Sequence, residues 1–200
     1  MKIYVVRHGQ SENNLAGIHT GWVQCHLTEN GRNDAVKAGH LLKNIHFDRV
    51  YCSDLIRAIE TQELALPGRK ADLCTPLLRE ISVGKMENKS RAQGEAEFGE
   101  IYTANRAKTN FAPIGGENYE MLVKRVREFL TMLEKDPCDC AAIFCHAGVV
   151  KAILGISLEL DEAEGLPHVI CDNGSVSVFE YRNDRWLLKA WNCTEGLFPR

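Results

Sequence analysis

Four short stretches of this chain carry side chains suited to moving a phosphoryl group: Arg7-His8-Gly9, Arg57, Glu80 and His146. A neutral imidazole is a nucleophile near pH 7 when one nitrogen donates to a fixed acceptor and the other faces phosphorus, which suits His8. Arginine forks match phosphate oxygens two at a time, which suits Arg7 and Arg57. A second imidazole, His146, can donate to a phosphoryl oxygen in the transition state if the local anion protonates it. A leaving alkoxide needs a proton, and Glu80 is the candidate acid. Such transfer is mostly positioning and neutralisation of spread charge, so these groups need no cofactor, and the sequence offers no carboxylate cluster for a metal.

Taken singly, each residue has a plain structural reading. Arg7 would be a surface ion pair at a strand end, Arg57 part of a solvated helix face, Glu80 a surface pair after Arg79, and His146 a satisfied core or cap imidazole. Their joint placement argues otherwise, because each follows a segment that reads as a strand.

The apolar run 2–6 reads as a buried strand delivering Arg7 and His8 to its C-terminal end, where open α/β sheets bind ligands. Residues 10–24 read as loop with one helical turn. Thr28 is placed as N-cap of a helix to about residue 44, with Ala35, Ala38, Leu41, Leu42 and Ile45 on its apolar side. A strand is expected over 49–52, with Ser53 capping a helix over 54–66 that Pro67-Gly68 stops. A third strand is expected over 73–78, ending near Glu80. From 84 to 116 charges and glycines replace apolar residues, which predicts a lid-like excursion of loops and a short helix over one sheet end. The clearest helix starts at Tyr119, with Leu122, Val123, Val126, Phe129, Leu130 and Leu133 opposite Lys124, Arg125, Arg127 and Glu128.

Residues 141–145 are apolar on both faces, as a central parallel strand requires, and run through His146 into a helix over 149–156. The remaining strands are expected at 168–171, 175–178 and 186–191, with a turn at Asn183-Asp184. Strands alternating with helices predict one α/β domain over 1–200, a three-layer α/β/α sandwich with a mainly parallel central sheet and an antiparallel edge. Right-handed crossovers would then bring the strand ends carrying Arg7-His8, Arg57 and His146 to one edge.

The chain of 200 residues is long enough to bury a substantial core. A net charge of −3 leaves no basic footprint for nucleic acid or an anionic membrane surface. No apolar run approaches a membrane span, and Arg7-His8 cuts the first one far short of a signal peptide, so a cytoplasmic protein is expected. Its eight cysteines then read as reduced thiols, mostly core filler. Oligomeric state is left open by the sequence.

The ordered set Arg7-His8-Gly9 with Asn14, Thr28-Glu29-Asn30-Gly31, Ser53-Asp54-Leu55-Ile56-Arg57-Ala58, Leu78-Arg79-Glu80, Gly115-Gly116-Glu117 and His146-Ala147-Gly148 resembles the histidine phosphatase superfamily, in its phosphoglycerate mutase-like branch. The resemblance covers nearly the whole chain. It implies a phosphorylated nucleophile at His8, a proton donor at Glu80 that later activates water, and a phosphate pocket of Arg7, Asn14, Arg57 and His146. It also implies a three-layer sandwich and a small phosphorylated metabolite as substrate. Gln10, Gln24 and His26 depart from the residues frequent in the family, without removing a catalytic group.

A mutase must keep water from the phosphohistidine, and in the family a long basic lid resembles the device that does so. Here the cations of 84–116 (Lys85, Lys89, Arg91, Arg106 and Lys108) are interspersed with Glu87, Glu95, Glu97 and Glu100. Hydrolysis of small phosphate monoesters is therefore favoured over mutase activity, although Thr20-Gly21-Trp22 resembles the mutase loop. A sensor that has lost catalysis would be expected to lack His8, Glu80 or His146, and all three are present.

Overall fold

The computed structural model describes residues 1–160 and 165–197. Its centre is a six-stranded sheet in the order β3-β2-β4-β1-β5-β6. Here β1 is Lys2–Arg7, β2 Arg49–Ser53, β3 Leu73–Thr75, β4 Cys140–Cys145, β5 Val176–Arg182 and β6 Arg185–Cys193. The first four strands in that order are mutually parallel, and β5 and β6 form the antiparallel side. Asn183 and Asp184, both with positive φ, make the tight turn between them.

Helices cover both faces. On one side α5 (Tyr119–Glu134) and α6 (Ala147–Ser157) bury Leu122, Val126, Phe129 and Ile153 against Ile3, Val5, Ile143 and Phe179. On the other, α2 (Glu29–Leu42) and α3 (Ile56–Ala65) bury Ala38, Leu42, Ala58 and Ala65 against Tyr4, Val6, Val50 and Phe144. The alternation of β1 between the two cores follows from the strand period of two. A short helix α1 (Glu12–Ala16) follows β1, and Thr28 caps α2 as expected, its hydroxyl accepting the Gly31 N–H at 3.0 Å. Among the described residues no helix is long and apolar enough to cross a membrane.

Several boundaries differ from expectation. Ser53 ends β2 and does not cap α3. The N-cap is Leu55, which offers no side-chain acceptor, and the Gln24 Oε1 takes the Ile56 N–H at 2.8 Å instead. The strand at 73 stops after three residues, since Pro76 cannot donate to a ladder and opens a 3₁₀ turn over Pro76–Leu78. The excursion at 84–116 holds a sixteen-residue helix, α4 (Arg91–Arg106), broken at Gly99 where φ is 52°. The expected strand at 168–171 is turn and irregular chain, so the apolar residues there serve packing and one carbonyl contact described below. The helix after β4 begins at Ala147, with His146 as N-cap.

Candidate active site

Sheet register brings the candidate residues together. Arg7 is level with Cys145 on the neighbouring strand β4, so His8 and His146 leave the sheet side by side. Their rings lie 5.0 Å apart, tilted by 60°. On the other side of β4, Cys52 is level with Phe144, which sets Ser53 beside the start of α6.

His8 is almost fully buried. Its Nδ1–H donates to the Gly9 carbonyl at 2.7 Å, and Arg57 Nε–H approaches Nε2 at 3.3 Å. That pairing selects the Nδ1–H tautomer, with the unprotonated Nε2 accepting the Arg57 Nε–H. Burial first, then the Arg57 and Arg7 charges, hold its pKa well below the usual histidine range, so the ring is neutral. Gly9 permits this arrangement because its Cα packs on α2, where an added Cβ would stand 2.0 Å from the Gly31 carbonyl oxygen. The Gly9 N–H donates to Thr61 Oγ1 at 3.1 Å, and that hydroxyl donates back to the Arg57 carbonyl at 2.7 Å. One hydroxyl of α3 therefore ties the loop after His8 to the helix turn that carries Arg57.

Arg57 is buried and also donates to the Gly21 and Val23 carbonyls, at 2.8 and 3.0 Å. Arg7 Nη1 donates to the Cys171 carbonyl. Among the described residues, Arg7 Nε and His146 Nδ1 are buried with no hydrogen-bond partner. Two such nitrogens on the residues flanking His8 are polar groups that a bound anion could satisfy. Burial, then Arg57 and the other surrounding groups, push the pKa of His146 well below the usual histidine range.

Glu80 is held at both ends. Its Oε1 accepts from Gly148 N at 3.0 Å and from Ile81 N at 2.9 Å. Its carbonyl accepts from Trp22 Nε1 at 2.7 Å and Arg125 Nη2 at 2.9 Å. Arg125 was expected on the solvent face of α5. It is instead largely buried, grips Glu117 through Nε and Nη2 at 2.9 Å each, and donates to the carbonyls of Leu77, Arg79 and Glu80. The Gly115-Gly116-Glu117 motif was the available signal, because a carboxylate there needs a cation. Asn173 was also missed. It donates to the His8 carbonyl at 3.0 Å and to Asn14 Oδ1 at 3.3 Å, leaving the Asn14 amide nitrogen free to turn toward an anion.

These groups open onto a cavity of about 250 Å³ lined by Arg7, His8, Asn14, Arg57 and Glu80 and walled by Thr20, Val83 and Phe111. His146 is fully buried next to the lining residue His8. The segments after four strands thus gather two imidazoles, two guanidinium groups and a carboxylate in one place, groups whose chemistry suits phosphoryl transfer.

The model of the histidine phosphatase superfamily (branch 1) matches residues 3–194. The chain belongs to this superfamily. It is 32% identical over 195 residues to the adenosylcobalamin/alpha-ribazole phosphatase of Salmonella typhimurium, covering 96% of each chain. It is also 32% identical over 190 residues to the 2,3-bisphosphoglycerate-dependent phosphoglycerate mutase of Cytophaga hutchinsonii, covering 90% of this chain and 87% of the mutase. The solved structure of the alpha-ribazole phosphatase from Shigella flexneri superposes with a TM-score of 0.90 at 26% identity, over 100% of both chains. As a histidine phosphatase superfamily member the chain is an enzyme, and its relatives carry out phosphatase and mutase reactions on small phosphorylated substrates.

Proposed function

We propose that the protein hydrolyses small phosphate monoesters without a metal, through a phosphohistidine on His8. The observation that carries this reading is the His8 tautomer: Nδ1–H is tied to the Gly9 carbonyl, and the unprotonated Nε2 lies 3.3 Å from Arg57 Nε, beside a pocket that Arg7, Asn14 and Glu80 also line. His8 Nε2 attacks phosphorus while the bond from phosphorus to the ester oxygen breaks. Arg7, Arg57, Asn14 and His146 hold the three equatorial oxygens, and Glu80 gives its proton to the departing alkoxide. The Glu80 carboxylate then takes a proton from water. The resulting hydroxide attacks the phosphohistidine, the P–N bond breaks, and inorganic phosphate leaves His8 neutral again.

Support for hydrolysis over mutase action comes from the excursion at 84–116. Its contribution to the pocket lining is the apolar Phe111. Arg91 turns to Glu95 at 2.6 Å and Lys89, just before α4, to Glu97 at 3.6 Å, and neither cation lines the pocket. A bisphosphorylated primer would need cations at that wall for its second phosphate. Similarity to a phosphoglycerate mutase keeps isomerisation as the second reading.

The test is release of phosphate from p-nitrophenyl phosphate in EDTA, with acid-labile label trapped on the protein. His8→Ala abolishes both, and persistent turnover in that variant would sink the nucleophile assignment. Supplying 3-phosphoglycerate with 2,3-bisphosphoglycerate yields 2-phosphoglycerate no faster than phosphate. Rapid isomerisation would instead establish the mutase reading.

A further inference from the structure

The two ring nitrogens of His146 have unlike surroundings. Nε2 lies 2.9 Å from the hydroxyl of Ser53, a fully buried residue at the end of β2, whereas Nδ1 has no partner among the described residues. The Ser53 oxygen also accepts the Leu55 N–H at 3.3 Å. Among the described residues these are the hydrogen bonds of that hydroxyl, so His146 Nε2 is the acceptor its single proton can reach. If Nε2 carried the proton instead, the hydroxyl hydrogen would be buried without an acceptor. A lone pair at Nδ1 would then meet the anion that His8, Arg7 and Arg57 surround. Both faults cost free energy in a buried site.

We infer that Ser53 is a positioning residue: its hydroxyl donates to His146 Nε2 and so fixes the ring as the Nδ1–H tautomer, a neutral donor to the phosphoryl oxygens above His8. The depressed pKa of His146, caused by burial and the arginines, agrees with a neutral ring. Register explains why a serine serves here. Parallel pairing of β2 with β4 sets position 53 one step beyond the Cys52–Phe144 pair, level with the strand end from which His146 emerges. A residue that sequence spacing suggests as a helix cap is thereby turned to the imidazole.

The catalytic consequence rests on the phosphoryl-transfer reading given above, whereas the tautomer itself does not. The experiment is two-bond ¹H–¹⁵N correlation NMR of histidine-labelled protein at pH 7, with His146 assigned by comparison with His146→Asn. Wild type is expected to show a protonated Nδ1 and a bare, hydrogen-bonded Nε2. In Ser53→Ala the two tautomers interchange, and kcat for p-nitrophenyl phosphate falls about 10- to 100-fold. A wild-type spectrum with the proton on Nε2, or on both nitrogens, overturns the inference, and does not depend on Ser53→Ala folding. An unchanged tautomer in folded Ser53→Ala overturns it as well, whatever the activity. The outcomes are separable from those of the nucleophile test: activity surviving in His8→Ala defeats the proposed mechanism, while the Nδ1–H tautomer would stand.

Discussion

The backbone N–H of Gly148 donates to the Glu80 carboxylate at 3.0 Å, and a Cβ at position 148 would stand 2.2 Å from that same oxygen. The second residue of α6 is therefore glycine because the carboxylate of a distant loop docks on the helix N-terminus, where backbone N–H groups are unsatisfied. The contact places the proposed acid between the pocket and α6. It also gives a way to move that acid without changing it.

Gly148→Ala is expected to displace Glu80 and lower kcat for an alkyl phosphate by roughly 100-fold, since misplacing a proton donor by about 1 Å costs on that order. The loss should be much smaller for p-nitrophenyl phosphate, whose leaving group departs as a stable anion. Steady-state kinetics on both esters checks this. Equal losses would mean that the substitution acts on the fold or on His8, and not through proton donation.

Arg125 and Glu117 form a mostly buried bidentate pair that also holds the carbonyls on either side of Glu80. Arg125→Met leaves the Glu117 carboxylate buried without its cation, which should cost about 3–5 kcal/mol in urea unfolding. The double variant Arg125→Met, Glu117→Leu should recover part of that stability but not activity, because the Glu80 loop has still lost its anchor. Recovery of both would show that Arg125 serves stability alone.

Asn173 sets the carbonyl of His8 and the orientation of Asn14 through one amide. Asn173→Ala should weaken binding of inorganic phosphate about tenfold, the worth of one or two hydrogen bonds, with a smaller change in kcat. Product-inhibition constants report it directly, and an unaltered constant would remove Asn14 from the phosphate pocket.

The neutral histidines make stability depend on pH. His8 and His146 have folded-state pKa values well below the usual range, whereas the unfolded chain takes up protons on both near about pH 6.5. Between those values the unfolded state binds more protons. Stability is therefore present in full above about pH 6.5 and is lost as pH falls toward the folded values. The urea midpoint of wild type should drop between pH 7.5 and 5.5 more steeply than that of His8→Asn or His146→Asn. Parallel curves would mean that the imidazoles titrate normally in the folded protein.

The sequence by itself determined the strands and the helices that carry the site. An apolar run ending in Arg7-His8, another ending in His146, and the regular apolar face of α5 are local patterns with local causes. Residues in one strand or helix turn dictate one another, so β1, β4, α2 and α5 appear where their periodicity places them. The set His8, Arg57, Glu80 and His146 was legible for the same reason, since each follows a strand end and parallel strands open at one edge.

Only the tertiary structure decided what each remaining polar group faces. Arg125 belongs to the charged side of its helix by spacing, yet it is buried because the loop bearing Glu80, 45 residues away, needs a donor there. Ser53 resembles a cap, but its partner His146 is 93 residues distant and arrives through strand register. Asn173 reaches His8 across 165 residues. A hydrogen bond is fixed by geometry within about 3 Å and carries no trace in sequence spacing when its two ends lie on different strands. Side-chain periodicity therefore pointed to the candidate groups, while the contacts that set their orientations came only with the folded sheet.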